Sequence, residues 1–169
     1  VEVLLFSFVQ NQSDTARLQT DSKMTEQMTS FEQLDAYLAR DFNPDYWYDD
    51  AYSFAMQWIA EFTSADWVAL RASALCRPPD WQQRCAYALI GSPATASADL
   101  LLQMAGADDD AISWTAVSAL KALRWNGVHP QLAPTLDERL TRLARAKPMA
   151  LDAIDWLRQY AQETAAIKN

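Results

Sequence analysis

Between Asp41 and Tyr52 the chain reads Asp-Phe-Asn-Pro-Asp-Tyr-Trp-Tyr-Asp-Asp-Ala-Tyr, four carboxylates interleaved with three tyrosines, a tryptophan and a phenylalanine. Such a mixture suits recognition better than bond-making. Rings supply contact area that sheds water easily, and neighbouring carboxylates select a cationic partner. A helix turns only one stripe inward, so Tyr46, Trp47, Tyr48 and Tyr52 cannot all share it, and some rings must stand at the surface beside the aspartates. The plainer alternative is that the rings pack inward and the aspartates cap a helix start. On the first reading the candidate contacts to a partner are Asp41, Asp45, Tyr46, Tyr48, Asp49, Asp50 and Tyr52.

A second carboxylate group, Asp108, Asp109 and Asp110, lacks the alternating ligands and closing glutamate of a calcium loop. It reads as a helix-capping turn, where negative charge meets the positive end of the helix dipole, with one or two carboxylates left over as secondary contacts. Arg139, Arg142 and Arg145 recur every three residues and read as a solvated ridge alongside Asp137 and Glu138. A nucleic-acid site would need a broad basic surface, which a pI near 4.5 opposes.

Catalytic groupings are hard to assemble from what remains. His129 is the only histidine, and it stands before Pro130 in an expected turn. Cys76 and Cys85 sit among apolar neighbours and read as two reduced core thiols of a cytosolic protein. No Gly-rich phosphate loop, Cys-x-x-Cys pair or nucleophile elbow occurs. The expectation is therefore no catalytic residue, no metal site and no cofactor.

Charge is unevenly placed. Of the formal −8, residues 1–66 carry 12 acids against three bases, and the remaining residues carry 10 acids against 11 bases. Asymmetry of this kind bears on partners more than on fold. The apolar run 3–9 is too short for a membrane span and lacks the flanks of a secretory signal. The stretch from Met24 reads as a translation start. Residues 1–23 are then either a vector-derived leader or an arm that adds to the fold, and 24–169 form one helical domain with a cytoplasmic location expected.

The elements that must position these residues are helical throughout. Only three glycines occur, too few for a β-sandwich or barrel of 169 residues and suited to a helical array. Ser30-x-x-Gln33 reads as a capping box opening a helix over 31–42, with Phe31, Leu34, Leu38 and Phe42 on one stripe. Asn43-Pro44 opens the next, reaching Phe62, with Trp47, Ala51, Phe54, Ala55, Trp58, Ile59 and Phe62 inward. Thr63-Ser64 caps 65–76, with Trp67, Leu70, Ala74 and Leu75 inward. Asp80 reads as the N-cap of 81–90, and Ser92-Pro93 opens a helix over 93–105. Further helices are expected over 111–125, 131–146 and 149–166.

Short turns between eight segments indicate helical hairpins, and the hairpins repeat. Segment 100–123 combines a Leu-rich first helix, an acidic turn and an Ala/Val/Leu second helix. Segment 67–89 follows the same plan, with Asp80 in the turn and Arg84 four positions on, and 136–157 is a weaker copy. Leu89, Leu120 and Leu157 fall at matching places, 31 and 37 residues apart. The pattern resembles the HEAT repeat over roughly 100 residues, with the 31–62 pair as an atypical capping unit. That resemblance implies an all-α fold, a short right-handed α-solenoid of about four antiparallel helix pairs.

Among HEAT-like proteins, a small acidic chain of this type resembles bacterial immunity proteins, which neutralise a toxin, often a nuclease. The resemblance implies a non-catalytic binding module that docks a basic toxin domain through its acidic, aromatic-rich surface, with no role for nucleic acid or membrane. Two alternatives stay open: a HEAT-repeat scaffold or adaptor using its concave face, and a HEAT-like enzyme of the bilin-lyase or glycosylase kind. Iron-binding HEAT-repeat hydroxylases use several His-Glu pairs, and glycosylase-like folds carry a basic concave face; this sequence has neither.

Overall fold

The computed structural model describes residues 28–126 and 130–167. The expectations for residues 1–23, Met24 and His129 fall outside them. All regular structure among the described residues is helical, apart from one isolated bridge between Pro93 and Arg124.

Helix α1 (Ser30–Leu38) opens one residue earlier than the Ser30-x-x-Gln33 pattern suggests. Thr29 Oγ1 accepts from the Glu32 backbone N–H at 3.1 Å, and Glu32 Oε2 accepts from the Thr29 N–H at 2.8 Å. An ionised carboxylate is the stronger acceptor, so the Thr-x-x-Glu register wins. The displaced Gln33 side chain donates instead to the Met28 carbonyl. Leu34, Leu38 and Phe42 are buried as expected.

Asn43 caps α2 (Pro44–Tyr46), its Oδ1 accepting from the Asp45 N–H at 2.9 Å, with Pro44 at the first helical position. The chain then widens into a π-helical turn (Trp47–Ala51) before continuing as α3 (Tyr52–Ala60). In a plain α-helix each step of four residues drifts by about 40°. The wide turn takes up that drift and keeps Trp47 and Ala51 on the stripe that buries Ala55 and Ile59. Phe54, expected inward, lies outside this stripe and is exposed.

Thr63 and Asp66 form the capping box of α4 (Ser64–Ser73). Its last turn tightens into a 3₁₀ turn (Ala74–Cys76), which breaks the expected stripe: Ala74 stays buried, whereas Leu75 and Cys76 turn outward. Cys76 is therefore no core thiol. Cys85 is buried, and desolvation, with Asp35 adding to it, pushes its thiol well above the ordinary range. Asp80 falls in the first turn of α5 (Pro79–Ala88) rather than at its cap, because Pro79 already occupies N1. Gly91, with φ of 75°, supplies the left-handed residue after α5.

Helix α6 (Ala94–Ala105) follows Pro93, one residue later than expected, and Ser92 donates to Ser97 Oγ instead of capping. Helix α7 (Asp110–Ala122) is capped by Asp109, α8 (Pro134–Ala146) starts at its own proline, and a 3₁₀ turn (Pro148–Ala150) leads into α9 (Leu151–Ile167).

Packing follows chain order. Helix α1 lies on α3 and α4, α3 on α5, α5 on α7, and α7 on both α6 and α9. One contiguous core runs from Leu34 to Leu157, and Leu89, Leu120 and Leu157 are all fully buried within it.

Arg139 corrects the expectation of a solvated arginine ridge. Only 7% exposed, it donates through Nε to the Ala107 carbonyl at 2.6 Å and through Nη2 to the Asp108 carbonyl and Asp110 Oδ1. Arg142 and Arg145 remain exposed.

Candidate acidic docking surface

The π turn sets the geometry of the acidic segment. With Trp47 and Ala51 facing the core, successive residues of a widened helix place Tyr48 and Tyr52 on one flank, and Tyr46, Asp50 and Phe54 on the other. Ring contacts agree. Tyr48 and Tyr52 both meet Tyr87 of α5 edge-on, with centroids 5.0 and 5.3 Å apart. On the opposite flank, Tyr46 lies near Phe42 and Phe54 near Tyr37. Asp49 sits exposed between the flanks, Asp50 is exposed on the Tyr46 side, and Asp41 and Asp45 are exposed at the foot.

The residues expected as one patch therefore form a ridge with two aromatic sides. Tyr46 is 49% exposed and Tyr48 43%, and Tyr52 is half-buried. Phe54, at 47%, belongs to the exposed surface, although periodicity had assigned it to the core. Among the described residues, Asp41, Asp45, Asp49 and Asp50 make no side-chain ion pair or hydrogen bond, which leaves their charge to act outward.

Several residues brace the ridge from beneath. The Tyr37 hydroxyl donates to the Ala51 carbonyl at 3.0 Å, tying α1 to the wide turn. Arg84 Nη1 donates to the Leu38 and Arg40 carbonyls, and its guanidinium lies 5.2 Å from the Phe42 ring centroid. These contacts cap the carbonyl end of α1 and fix the turn that carries Asp41. Arg77 pairs with Asp35, and Trp81 Nε1 donates to the Asp35 carbonyl. Arg84 was visible in the sequence as a repeat position four residues after Asp80; the bracing roles of Tyr37 and Tyr87 had no comparable signal, since their partners lie 14 or more residues away.

Burial, then the neighbouring Tyr52 and Tyr48, raises the Tyr87 phenol above its ordinary range. Tyr37 is also raised, by burial and by Tyr46, against a smaller opposing effect of Arg40.

The second acidic group is used differently. Asp109 Oδ1 accepts from the Ala111 and Ile112 N–H groups, and Asp110 pairs with Arg139. Asp108 alone of the three offers an uncommitted carboxylate. This turn belongs to the α6–α7 pair, with α5 packed between α3 and α7, so Asp108, Asp109 and Asp110 do not join the ridge directly. Among the described residues, no three His, Cys, Asp or Glu side chains gather as a metal-holding group, and no helix is long and apolar enough to cross a membrane.

Compared with known protein families, with curated proteins and with solved structures, the chain matches none.

Proposed function

We propose that this chain is a non-catalytic binding module, a short right-handed HEAT-like solenoid that docks a basic protein on its first helical pair. The partner that fits best is a basic, nuclease-type toxin domain, which would make the chain an immunity protein. The observation that carries this reading is the ridge of Asp41, Asp45, Asp49 and Asp50, all exposed and unpaired among the described residues, beside the exposed rings of Tyr46, Tyr48 and Phe54. A nuclease presents a cationic groove for phosphates. Free carboxylates steer such a groove to the ridge, and rings held in place from below supply contact area at small entropic cost.

The helix packing supports the repeat architecture. Second helices α3, α5, α7 and α9 contact one another in succession, as a stack of hairpins requires. In such a stack the turns joining first to second helices fall along one edge, and Asp41 and Asp80 line one hollow there. Asp80 would extend the negative field beyond the ridge itself.

The test is co-purification with the basic C-terminal domain of a secreted toxin encoded beside this gene, followed by titration calorimetry. A tight one-to-one complex that inhibits the toxin is expected. Tight nucleic-acid binding by the isolated chain at about 0.15 M salt, where exposed charges are screened beyond roughly 8 Å, would overturn the reading.

A further inference from the structure

We propose that the hollow between the first helical pair and α5 is a receptor for one arginine side chain of the basic partner, held by Asp41 and Asp80. The inference rests on the docking reading above and names the contact that gives it specificity.

The hollow encloses about 210 Å³, enough for one long side chain, and opens beside the Tyr48 flank of the ridge. Asp41, from the turn after α1, and Asp80, from the first turn of α5, line it from different elements. Among the described residues, neither carboxylate has an ion pair or side-chain hydrogen bond. Tyr48, 43% exposed, supplies the accessible ring, with the buried Phe42 and Trp47 behind it, and the Gln83 side chain donates to the Tyr48 hydroxyl at 3.3 Å, steadying that wall.

The one cation in the lining is Arg84. Its Nη1 is spent on the Leu38 and Arg40 carbonyls and its guanidinium lies over Phe42, so it is held to the wall. A neighbouring hollow of about 350 Å³ shares Asp41, Asp80 and Arg84 but adds Arg40 and Arg77. Its extra positive charge directs an incoming cation to the Tyr48 side. Arginine fits this hollow better than lysine: a planar guanidinium stacks on the Tyr48 ring and presents several donors to two carboxylates at once.

The test is a ¹H–¹⁵N NMR titration of the whole chain with Nα-acetyl-arginine methylamide, and with the lysine and citrulline analogues as controls. Saturable shifts at the Gln83 side-chain amide and at the Asp41 and Asp80 backbone signals are expected with the arginine probe. The citrulline probe, isosteric but uncharged, should bind roughly tenfold more weakly or worse, and Asp41→Asn with Asp80→Asn should weaken arginine binding by a similar factor. Among the described residues Asp41 and Asp80 make no side-chain hydrogen bond or ion pair, so the variant should fold, with at most a small drop in thermal midpoint from the charge lost at the start of α5. Equal shifts with citrulline, no saturable shift at these sites, or unchanged binding in the double variant would overturn the receptor. If that variant also binds the toxin domain as tightly as wild type does, the receptor is wrong and the docking ridge stands. A chain that takes the arginine probe but ignores basic domains keeps the receptor and loses the toxin reading.

Discussion

The buried Asp66 carboxylate accepts from the Thr63 N–H at 2.9 Å, the Thr63 hydroxyl at 2.6 Å and the Phe31 N–H at 3.1 Å, so it caps its own helix and grips α1 as well. Burial raises its pKa, but the hydrogen bonds from Thr63, Phe31 and Thr29 outweigh it, and the group ends below its ordinary 3.8. A depressed acid stabilises the fold fully above the unfolded value and stops doing so as pH falls through the folded one. Asp66→Ala should cost about 1–3 kcal/mol in urea unfolding at neutral pH, and the gap to wild type should close as the pH drops below 3.8. Arg139→Met strands the Ala107 and Asp108 carbonyls and should also cost about 1–3 kcal/mol, with Arg139→Lys rescuing little because a single ammonium cannot reach all three acceptors. At this scale the sequence was an uneven guide. Thr63 and Asp109 could be read as caps from local spacing. Arg139 looked like its exposed neighbours Arg142 and Arg145, because what buries it is a turn some 30 residues away.

Helices were legible from their stripes and punctuation; their ends and their irregular turns were not. Asn43-Pro44 opens α2 as read, because cap and proline act within three residues. The π turn at Trp47–Ala51 leaves no local sequence pattern to distinguish it from an α-helix. What selects it is the demand that Trp47 and Ile59 share one buried stripe. The same wide turn rotates Phe54 off the stripe that periodicity predicts, and the 3₁₀ turn after α4 does the same to Leu75. The tie from the Tyr37 hydroxyl to the Ala51 carbonyl should hold the wide turn closed. Tyr37→Phe is expected to cost about 1 kcal/mol and to speed hydrogen exchange across 47–55 while leaving α7 protected. Unchanged exchange in that segment would mean that core packing alone sets the turn.

For the whole molecule, among the described residues the unpaired carboxylates of Asp41, Asp45, Asp49 and Asp50 gather on the first helical pair, whereas Asp109, Asp110, Asp137 and Asp152 are committed to a cap or to ion pairs. The helical class was readable from glycine scarcity and periodicity. The two-sided shape of the ridge was not, because it depends on α5 rising beside it. If the ridge steers a basic partner, the association rate should fall steeply between low and physiological salt, with the dissociation rate changing much less, as stopped-flow mixing would record. The most direct measurement is the affinity of the toxin domain for wild type and for the Asp49→Lys, Asp50→Lys double variant, with Asp109→Asn as a comparison that removes an acidic charge away from the ridge while keeping the cap acceptor. Binding should weaken roughly 100-fold or more in the double-lysine variant, at an unchanged fold, and stay near wild type in Asp109→Asn. A double-lysine variant that binds within about twofold of wild type would contradict docking on the first helical pair, since reversing two interfacial charges costs far more than that.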